Sequence, residues 1–405
     1  MNKISFAMTA SERKVSVSIA FIYALRMLGI FIVLPIMALH AKQLEYASPF
    51  LVGISVGIYG LTQALLQIPF GWLSDRYGRK IVIFSGLIIF IAGSIVAAES
   101  TTIYGVVFGR SLQGAGAISA VLMSLAADLT SERNRTKIMA AIGISIGFTF
   151  LLSLVLGPVL QSLIGIDGIF WMIAGLSIFA IFVLFTQIPS DSKNMKLLKK
   201  YKQPNFLMSI QGAIHDKQFL ILCFGIFILH LVMTANFVVL PEILIDGLDL
   251  PQRDHSIFYL IVLVSAVLVM LPIMFFCEKR NFIKGSFVTA VLLLGLSELS
   301  ITYTYEHILN LGISMFLFFA TFSYLEAQLP SLVTKLKHGA RGTSLGIFTS
   351  CQFLGVFSGG AMAGLHTQYF ERNNLFLMLF FLITIWFILS INMQKPHKIA
   401  RSFTA

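Results

Sequence analysis

Gly71-Trp-Leu-Ser-Asp75-Arg-Tyr-Gly78-Arg79-Lys80 is a charged stretch that lies between two apolar parts of the sequence. Residues 46–74 on one side and 81–98 on the other contain no Asp, Glu, Lys or Arg. An α-helix needs about 20 apolar residues to cross the roughly 30 Å of hydrocarbon in a bilayer. The stretch is therefore predicted to connect two membrane-spanning helices.

The same apolar character extends over the whole chain. Of the 405 residues, 57% are hydrophobic and 12% are charged, whereas soluble domains contain about 25% charged residues. Further uncharged runs occupy 138–166, 168–190, 342–370 and 373–394. These runs are continuous, not alternating, which excludes an outer-membrane β-barrel. The composition also excludes a soluble enzyme and predicts an all-α membrane protein.

Twelve transmembrane helices are predicted. They are placed at 16–39, 50–73, 81–98, 103–127, 138–162, 168–188, 218–240, 255–276, 286–304, 308–333, 342–367 and 374–393. A lysine-rich polar segment separates the first six spans from the last six. We predict an N-terminal six-helix bundle over 1–189, a cytoplasmic basic linker over 190–217 and a C-terminal six-helix bundle over 218–405.

The distribution of Lys and Arg predicts the orientation. Most of the 29 Lys and Arg residues lie in the N-terminal segment, the linker and the loops on one side of the twelve spans. Because cytoplasmic loops carry the excess of Lys and Arg, both termini are predicted to be cytoplasmic. The net charge of +11 then reflects topology and contact with anionic membrane lipids, and nucleic-acid binding is not predicted.

The sequence contains no motif for enzymatic or ATP-driven chemistry. Cys223, Cys277 and Cys351 are odd in number and have no disulfide or metal-site spacing. A phosphate-binding loop, zinc-ligand spacing and a nucleophile elbow are absent from the sequence. Neither an enzyme nor a cofactor is therefore predicted.

The stretch at 71–80 has the features of a conformational latch. Gly71 and Asp75 are four residues apart and share a helix face, so another helix can approach the glycine closely. The Asp75 carboxylate can then face the positive N-terminal end of that helix, and Arg79 is expected to bridge Asp75 to Asp128. The predicted latch residues are Gly71, Asp75, Arg76, Gly78, Arg79, Lys80 and Asp128. The alternative is an ordinary basic cytoplasmic loop.

The stretch resembles the loop 2–3 signature of the major facilitator superfamily, Gly-x-Leu-x-Asp-Arg-x-Gly-Arg-Lys. Arg110-Ser-Leu-Gln113-Gly114-Ala-Gly116 resembles the second motif of that superfamily. Residues 25–29, 134–137 and 325–331 resemble the bacterial YajR-like branch of proton-linked efflux proteins. Two motifs depart from the pattern, because the antiporter signature of span five keeps only Gly157-Pro158 and the second-half counterpart of the loop, 277–280, is degenerate. The resemblance implies a transporter of the bacterial inner membrane.

Ionisable residues inside the spans are candidates for the site. Such groups are costly in hydrocarbon and normally face a cavity or a partner. Arg26, Arg110, His230 and Glu326 fall in spans one, four, seven and ten, which line the central cavity in the resembled fold. With Gln113, they are the predicted residues for proton coupling and substrate binding.

Glu326 is the preferred proton carrier, because burial disfavours the charged form of a carboxyl group. His230 is the next candidate, and Arg110 or Arg26 would oppose the acid or hold an anionic group. The alternatives are structural pairing of each Arg and a simple interhelical hydrogen bond from His230. Glu298 in span nine is expected to be structural or to snorkel toward the membrane surface.

The leading hypothesis is a monomeric secondary active transporter that works by alternating access. It would export small amphipathic or cationic compounds in exchange for protons, with the substrate, protons and membrane lipids as its partners. A proton-coupled importer, an exporter of an endogenous metabolite such as a siderophore or sugar, and a non-transporting receptor or scaffold remain as alternatives. The small residues of span eleven, from Gly342 to Gly364, predict a close helix seam.

Overall fold

The computed structural model describes residues 9–189, 212, 215–280, 282–336 and 341–394. Within these ranges the regular structure is helical, apart from one isolated bridge between Glu45 and Thr102. The α-helices are α1 (Ala10–Phe31), α2 (Leu34–Ala41), α3 (Pro49–Tyr77), α4 (Arg79–Ala98), α5 (Ile103–Ala115), α6 (Ser119–Asp128), α7 (Glu132–Gln187), α8 (Lys217–Glu242), α9 (His255–Lys279), α10 (Ile283–Thr304), α11 (Ile308–Lys335), α12 (Arg341–Tyr369) and α13 (Asn373–Ile391). A π-helical turn, Ile243–Gly247, follows α8, and a short 3-10 turn, Gln252–Asp254, precedes α9.

Eleven helical segments of the described residues are long and apolar enough to cross a membrane. The predicted spans coincide with them, except that spans five and six share one 51-residue segment, Lys137–Gln187. At 1.5 Å per residue this segment is about 77 Å long, more than twice the thickness of the hydrocarbon. Its helix is interrupted between the two predicted spans, at Gly165 (φ 68°, ψ 173°), where the positive φ suits glycine. Twelve crossings and cytoplasmic termini remain predictions.

Side-chain hydrogen bonds explain where α1 begins. The Thr9 hydroxyl accepts the Glu12 amide hydrogen at 3.1 Å, and the Glu12 carboxylate accepts the Thr9 amide hydrogen at 3.1 Å, which forms a capping box for α1. The same carboxylate accepts from the Ser131 amide at 3.0 Å and from the Asn134 side chain at 3.2 Å. Glu12 therefore also joins the start of α1 to the start of α7.

The chain divides into two compact units. The first contains Met1–Tyr46 and Leu61–Lys202, and the second contains Ala47–Gly60 and Gln203–Ala405. The first turns of α3 therefore group with the second unit. The predicted linker at 190–217 lies outside the described residues except for 212 and 215–217, and the predicted division into two six-helix bundles stays a prediction.

Close helix packing in the second unit depends on the glycines of α12. A Cβ atom on Gly359 would overlap the carbonyl oxygen of Leu231 in α8. On a neighbouring face of α12, a Cβ atom on Gly360 would overlap the carbonyl oxygen of Gly53 in α3. The small residues that predicted a seam in span eleven thus let α12 lie directly against two other backbones.

We expect Gly359→Val to destabilise the second unit, because backbone atoms cannot move aside as a flexible side chain can. Overpacking of this kind costs about 1–3 kcal/mol. Thermal unfolding of the purified protein in detergent measures the effect. Gly346→Val is the matched control, because a Cβ atom at this position of α12 meets no described atom within 4 Å. Equal unfolding temperatures for the two variants would contradict the described packing.

Candidate functional site

Three polar side chains from three helices form a cluster in the second unit. They are His230 of α8, Glu326 of α11 and Gln352 of α12. Gln352 Nε2 lies 2.8 Å from His230 Nε2 and donates to Glu326 Oε1 at 3.2 Å. His230 Nε2 lies 3.7 Å from Glu326 Oε2. The imidazole is buried, whereas the Glu326 side chain is 35% exposed.

The contacts of His230 determine its tautomer. Its Nδ1 atom lies 3.2 Å from the carbonyl oxygen of Ile226, one turn earlier in α8. A carbonyl oxygen only accepts hydrogen bonds, so Nδ1 carries the hydrogen. Nε2 of the neutral ring then has a free lone pair and accepts an amide hydrogen from Gln352. The two predicted residues His230 and Glu326 are thus brought together by a third residue, Gln352.

Arg26 lies in a separate buried cluster in the first unit, with 2% of its surface exposed. Its Nη2 atom donates to the Gly116 carbonyl at 2.8 Å and to Gln63 Oε1 at 3.0 Å. Its Nη1 atom donates to Ser119 Oγ at 3.0 Å. The guanidinium also lies 5.6 Å from the centre of the Phe90 ring, within the range of a cation–π contact. Arg26 therefore connects α1 to α3, to the start of α6 and to Gly116 just after α5.

Arg110 and Gln113 belong to a second buried chain in the first unit. Arg110 Nη1 donates to Gln113 Oε1 at 2.8 Å, and Gln113 Nε2 donates to Ser94 Oγ at 2.9 Å. Each of the two predicted residues is 1% exposed. The chain connects α5 to α4. A shared cavity for the five predicted residues remains a prediction.

Arg79 bridges two carboxylates where α3 ends and α4 begins. Its Nη1 atom lies 2.6 Å from Asp75 Oδ1, and its Nε atom lies 3.1 Å from Asp128 Oδ2. The Ser74 hydroxyl accepts a further hydrogen bond from the same guanidinium. Gly78, at φ 101°, supplies the positive φ that joins α3 to α4. The role of this cluster as a latch stays a prediction.

The other predicted latch residues have different surroundings. The Arg76 guanidinium lies 5.7 Å from the centre of the Trp72 ring. Lys80 Nζ donates to the Ile188 carbonyl at 2.7 Å and so ties the start of α4 to the end of α7. A Cβ atom on Gly71 would meet no described atom within 4 Å. No described residue packs closely against Gly71, so the helix approach expected there stays a prediction.

A buried acid–amide pair was not identified as such from the sequence. Glu298 of α10 is fully buried, and its Oε1 atom accepts a hydrogen bond from Asn236 Nδ2 of α8 at 2.8 Å. Full burial excludes the expected snorkelling and leaves the structural interpretation. Asn236, Gln352 and Gln63 were all missed, because a neutral amide in an apolar span gives no charge signal. These amides could have been sought as hydrogen-bond partners of the charged residues in the spans, because each buried charge needs a partner.

The thiols of this region belong to the same helices as the cluster. Cys223 of α8 and Cys351 of α12 are free thiols that lie close enough to interact with each other. Among the described residues, no three His, Cys, Asp or Glu side chains are grouped to hold a metal ion.

Comparisons with known proteins agree with this architecture. A sequence profile of the Major Facilitator Superfamily matches residues 19–360. The chain is 38% identical over 396 residues to the Inner membrane transport protein YajR of Escherichia coli (strain K12), which covers 98% of this chain and 86% of that protein. It is 24% identical over 355 residues to Multidrug resistance protein 2 of Bacillus subtilis (strain 168), covering 84% of this chain and 85% of that protein.

A solved structure supports the fold independently. The chain matches a D-xylose–proton symporter with a TM-score of 0.75 at 14% identity, covering 95% of this chain and 98% of that chain. At this identity the likeness shows the fold alone.

The buried Glu298–Asn236 pair allows a test of the helix contact that it makes. Glu298→Leu would leave the buried Asn236 amide without its acceptor, and an unsatisfied buried group costs about 1–3 kcal/mol. The double variant Glu298→Leu/Asn236→Leu removes both polar groups, so we expect it to unfold at a higher temperature than Glu298→Leu. Thermal unfolding of the wild type, both single variants and the double variant completes the cycle. Simple additivity of the two single effects would show that the side chains do not interact.

Proposed function

The chain belongs to the Major Facilitator Superfamily, and we propose that it exports small amphipathic or cationic compounds in exchange for protons. It would work by alternating access, in which two six-helix halves open one site to each side of the membrane in turn. Its location is the bacterial inner membrane, as the name of the E. coli relative indicates and the apolar helical segments support. The observation that carries the proposal is the cluster of Glu326, Gln352 and His230.

Proton coupling is supported by the chemistry of this cluster. Glu326 gains or loses a full charge with one proton, and charges interact more strongly beside apolar helices than in water. Its side chain is 35% exposed, and the buried His230 ring lies 3.7 Å away. Imidazole is the side chain that ordinarily titrates near neutral pH. The cluster therefore contains two groups able to take up protons during transport.

A cationic or amphipathic substrate is supported by the side chains around the acid. Phe322 lies one turn before Glu326 on α11, and its ring centre is 5.8 Å from that of His230. A carboxylate and an aromatic ring both attract organic cations. The B. subtilis relative is named a multidrug resistance protein, which is in keeping with such substrates.

The Arg79 cluster is proposed to act as the latch of the transport cycle. Arg79 is largely buried, with 12% of its side chain exposed, whereas that of Asp75 is 36% exposed. The arginine thus holds the Asp75 carboxylate in place and leaves part of it accessible. The proposed partner is the N-terminal end of the eleventh predicted span, where a carboxylate is favoured by the helix dipole.

An importer, or an exporter of an endogenous metabolite, is the second candidate. Ser153 and Gln161 lie where the antiporter signature of span five has glycines, and Ser153 is fully buried. Gly157, which the signature keeps, allows α7 to approach the Ile32 carbonyl. The direction of transport depends on how proton and substrate each bind the two conformations. The same cavity and latch residues can serve export or import.

We expect Glu326→Gln to abolish proton coupling, because glutamine keeps the hydrogen-bonding shape but does not titrate. The measurement is collapse of ΔpH in everted membrane vesicles challenged with lipophilic cations, siderophores and sugars. Substrate-triggered collapse should occur with the wild type and be lost in the variant. Glu298→Gln is the matched control, because it removes an intramembrane acid outside the cluster.

Two outcomes would count against this assignment. Unchanged ΔpH collapse in Glu326→Gln would place the coupling proton elsewhere, with His230 next to be tested. No response to any compound, with wild-type protein shown to be inserted, would favour import or a non-transport role.

Asp75→Asn should reduce transport at least tenfold while leaving the protein folded. Arg79 keeps its contacts with Asp128 and Ser74, but the charge that would face the helix end is lost. Transport in vesicles and thermal unfolding of the purified variant separate the two effects. Glu278→Gln, an exposed acid in the degenerate counterpart loop, is the control. Normal flux through Asp75→Asn would refute the latch.

A further inference from the structure

We propose that Gln352 is a positioning residue that couples the protonation of His230 to the protonation of Glu326. The inference deepens the proposed proton coupling and rests on it for its place in transport. Its geometric basis lies within the second unit and involves one side chain from each of three helices. Gln352 is neutral, so a search for charged residues in the spans does not identify it.

The hydrogen bonds of the cluster are consistent with one protonation state of the imidazole. The Gln352 amide nitrogen has two hydrogens, and it lies 2.8 Å from His230 Nε2 and 3.2 Å from Glu326 Oε1. The Ile226 carbonyl requires the hydrogen of the neutral ring to be on Nδ1. Both neighbours of the amide nitrogen must therefore present lone pairs. The amide is placed as a double donor to an unprotonated Nε2 atom and an accepting carboxyl oxygen.

A second proton on His230 reverses this requirement. An N–H group on Nε2 would point at the amide hydrogens, so two donors would face each other. A half-turn of the Gln352 amide exchanges its nitrogen and oxygen and lets the oxygen accept from His230. The same amide oxygen then faces Glu326 Oε1. Both of these oxygens are acceptors, so they can form a hydrogen bond only if the Glu326 carboxyl group carries a proton. One carbonyl oxygen has two lone pairs and can accept from both groups.

The amide therefore favours two states of the cluster. In one, it donates to both neighbours, the imidazole is neutral and Glu326 Oε1 accepts. In the other, it accepts from both, His230 is an imidazolium and Glu326 is a carboxylic acid. Both protons come from solution, and no other bond forms or breaks. Through the amide, proton uptake by His230 is thus favoured once Glu326 carries its proton, and this effect opposes the direct attraction between an imidazolium and the Glu326 carboxylate.

The other groups around His230 leave Glu326 as its charged neighbour. Residues 49–60 of α3 and all of α13 contain no charged residue. Glu298 of α10 is hydrogen-bonded to Asn236, and the free thiols of Cys223 and Cys351 carry no resident charge and interact with each other. Phe322 of α11 presents only its ring. Among the described residues, Glu326 is the charged group that acts on the imidazole.

Infrared difference spectra of the purified full chain in lipid nanodiscs, recorded as the pH is changed, test the proposal without a substrate. The carboxylic acid band of Glu326 is identified by its loss in Glu326→Gln. The ring bands of His230 are identified with isotope-labelled histidine and by their loss in His230→Phe. In the wild type, both groups should change over the same pH interval.

Substitution of Gln352 should separate the two transitions. Gln352→Met has a similar size and no donor, so we expect His230 to take up its proton at a pH at least about one unit higher, a tenfold change in proton affinity. Gln352→Glu offers acceptors on both sides and should shift the His230 transition further in the same direction. Gln368→Met is the control, because this exposed amide of α12 contacts Tyr369 instead.

Two results would overturn the proposal. One is an unchanged His230 transition in Gln352→Met, with an unfolding temperature like that of the wild type. The other is protonation of His230 while Glu326 stays a carboxylate, which indicates a direct ion pair across the 3.7 Å separation. Coupled titration in a protein that moves no substrate would refute the proposed transport function and leave the role of Gln352 intact.

Discussion

Polar groups inside a membrane have no water to bond with, and the described structure follows from this constraint. Each such group needs a partner within the protein. Arg26 finds carbonyl, amide and hydroxyl oxygens, Glu298 finds an amide, and His230 finds a carbonyl and an amide. Since the partners lie on other helices in most cases, each polar side chain specifies which helices are neighbours.

The two units satisfy the constraint with opposite kinds of charge. The first unit buries the cations Arg26 and Arg110, and the second unit contains the acids Glu298 and Glu326 with an imidazole. In both units neutral amides contact the ionisable groups. An amide has both a donor and an acceptor end, so it can serve a cation, an anion or a group that changes its charge. Rotation of the side-chain amide can then restore the hydrogen bonds after a change in protonation, while the helices keep their packing.

The sequence was sufficient for the helices and for the family. Uncharged runs located the spans, and the resemblance carried by 71–80 and 110–116 is confirmed by the family profile. The interruption of α7 at Gly165 lies between the two predicted spans, beside Gln161, Ser162 and Asp167, but the sequence did not show that the two spans follow each other without a loop. The pairing of His230 with Glu326 through Gln352 could not be predicted from the sequence, because it depends on which faces of α8, α11 and α12 meet.

Arg26 also has a consequence for how the chain is made. Its hydrogen-bond partners Gln63, Gly116 and Ser119 follow it by 37, 90 and 93 residues. At a synthesis rate of about 5–20 residues per second, Ser119 leaves the ribosome roughly 5–20 s after Arg26. During this interval the first helix carries a cation whose final acceptors do not yet exist. Until the later helices arrive, the Arg26 guanidinium can be satisfied only by water, lipid headgroups or the insertion machinery.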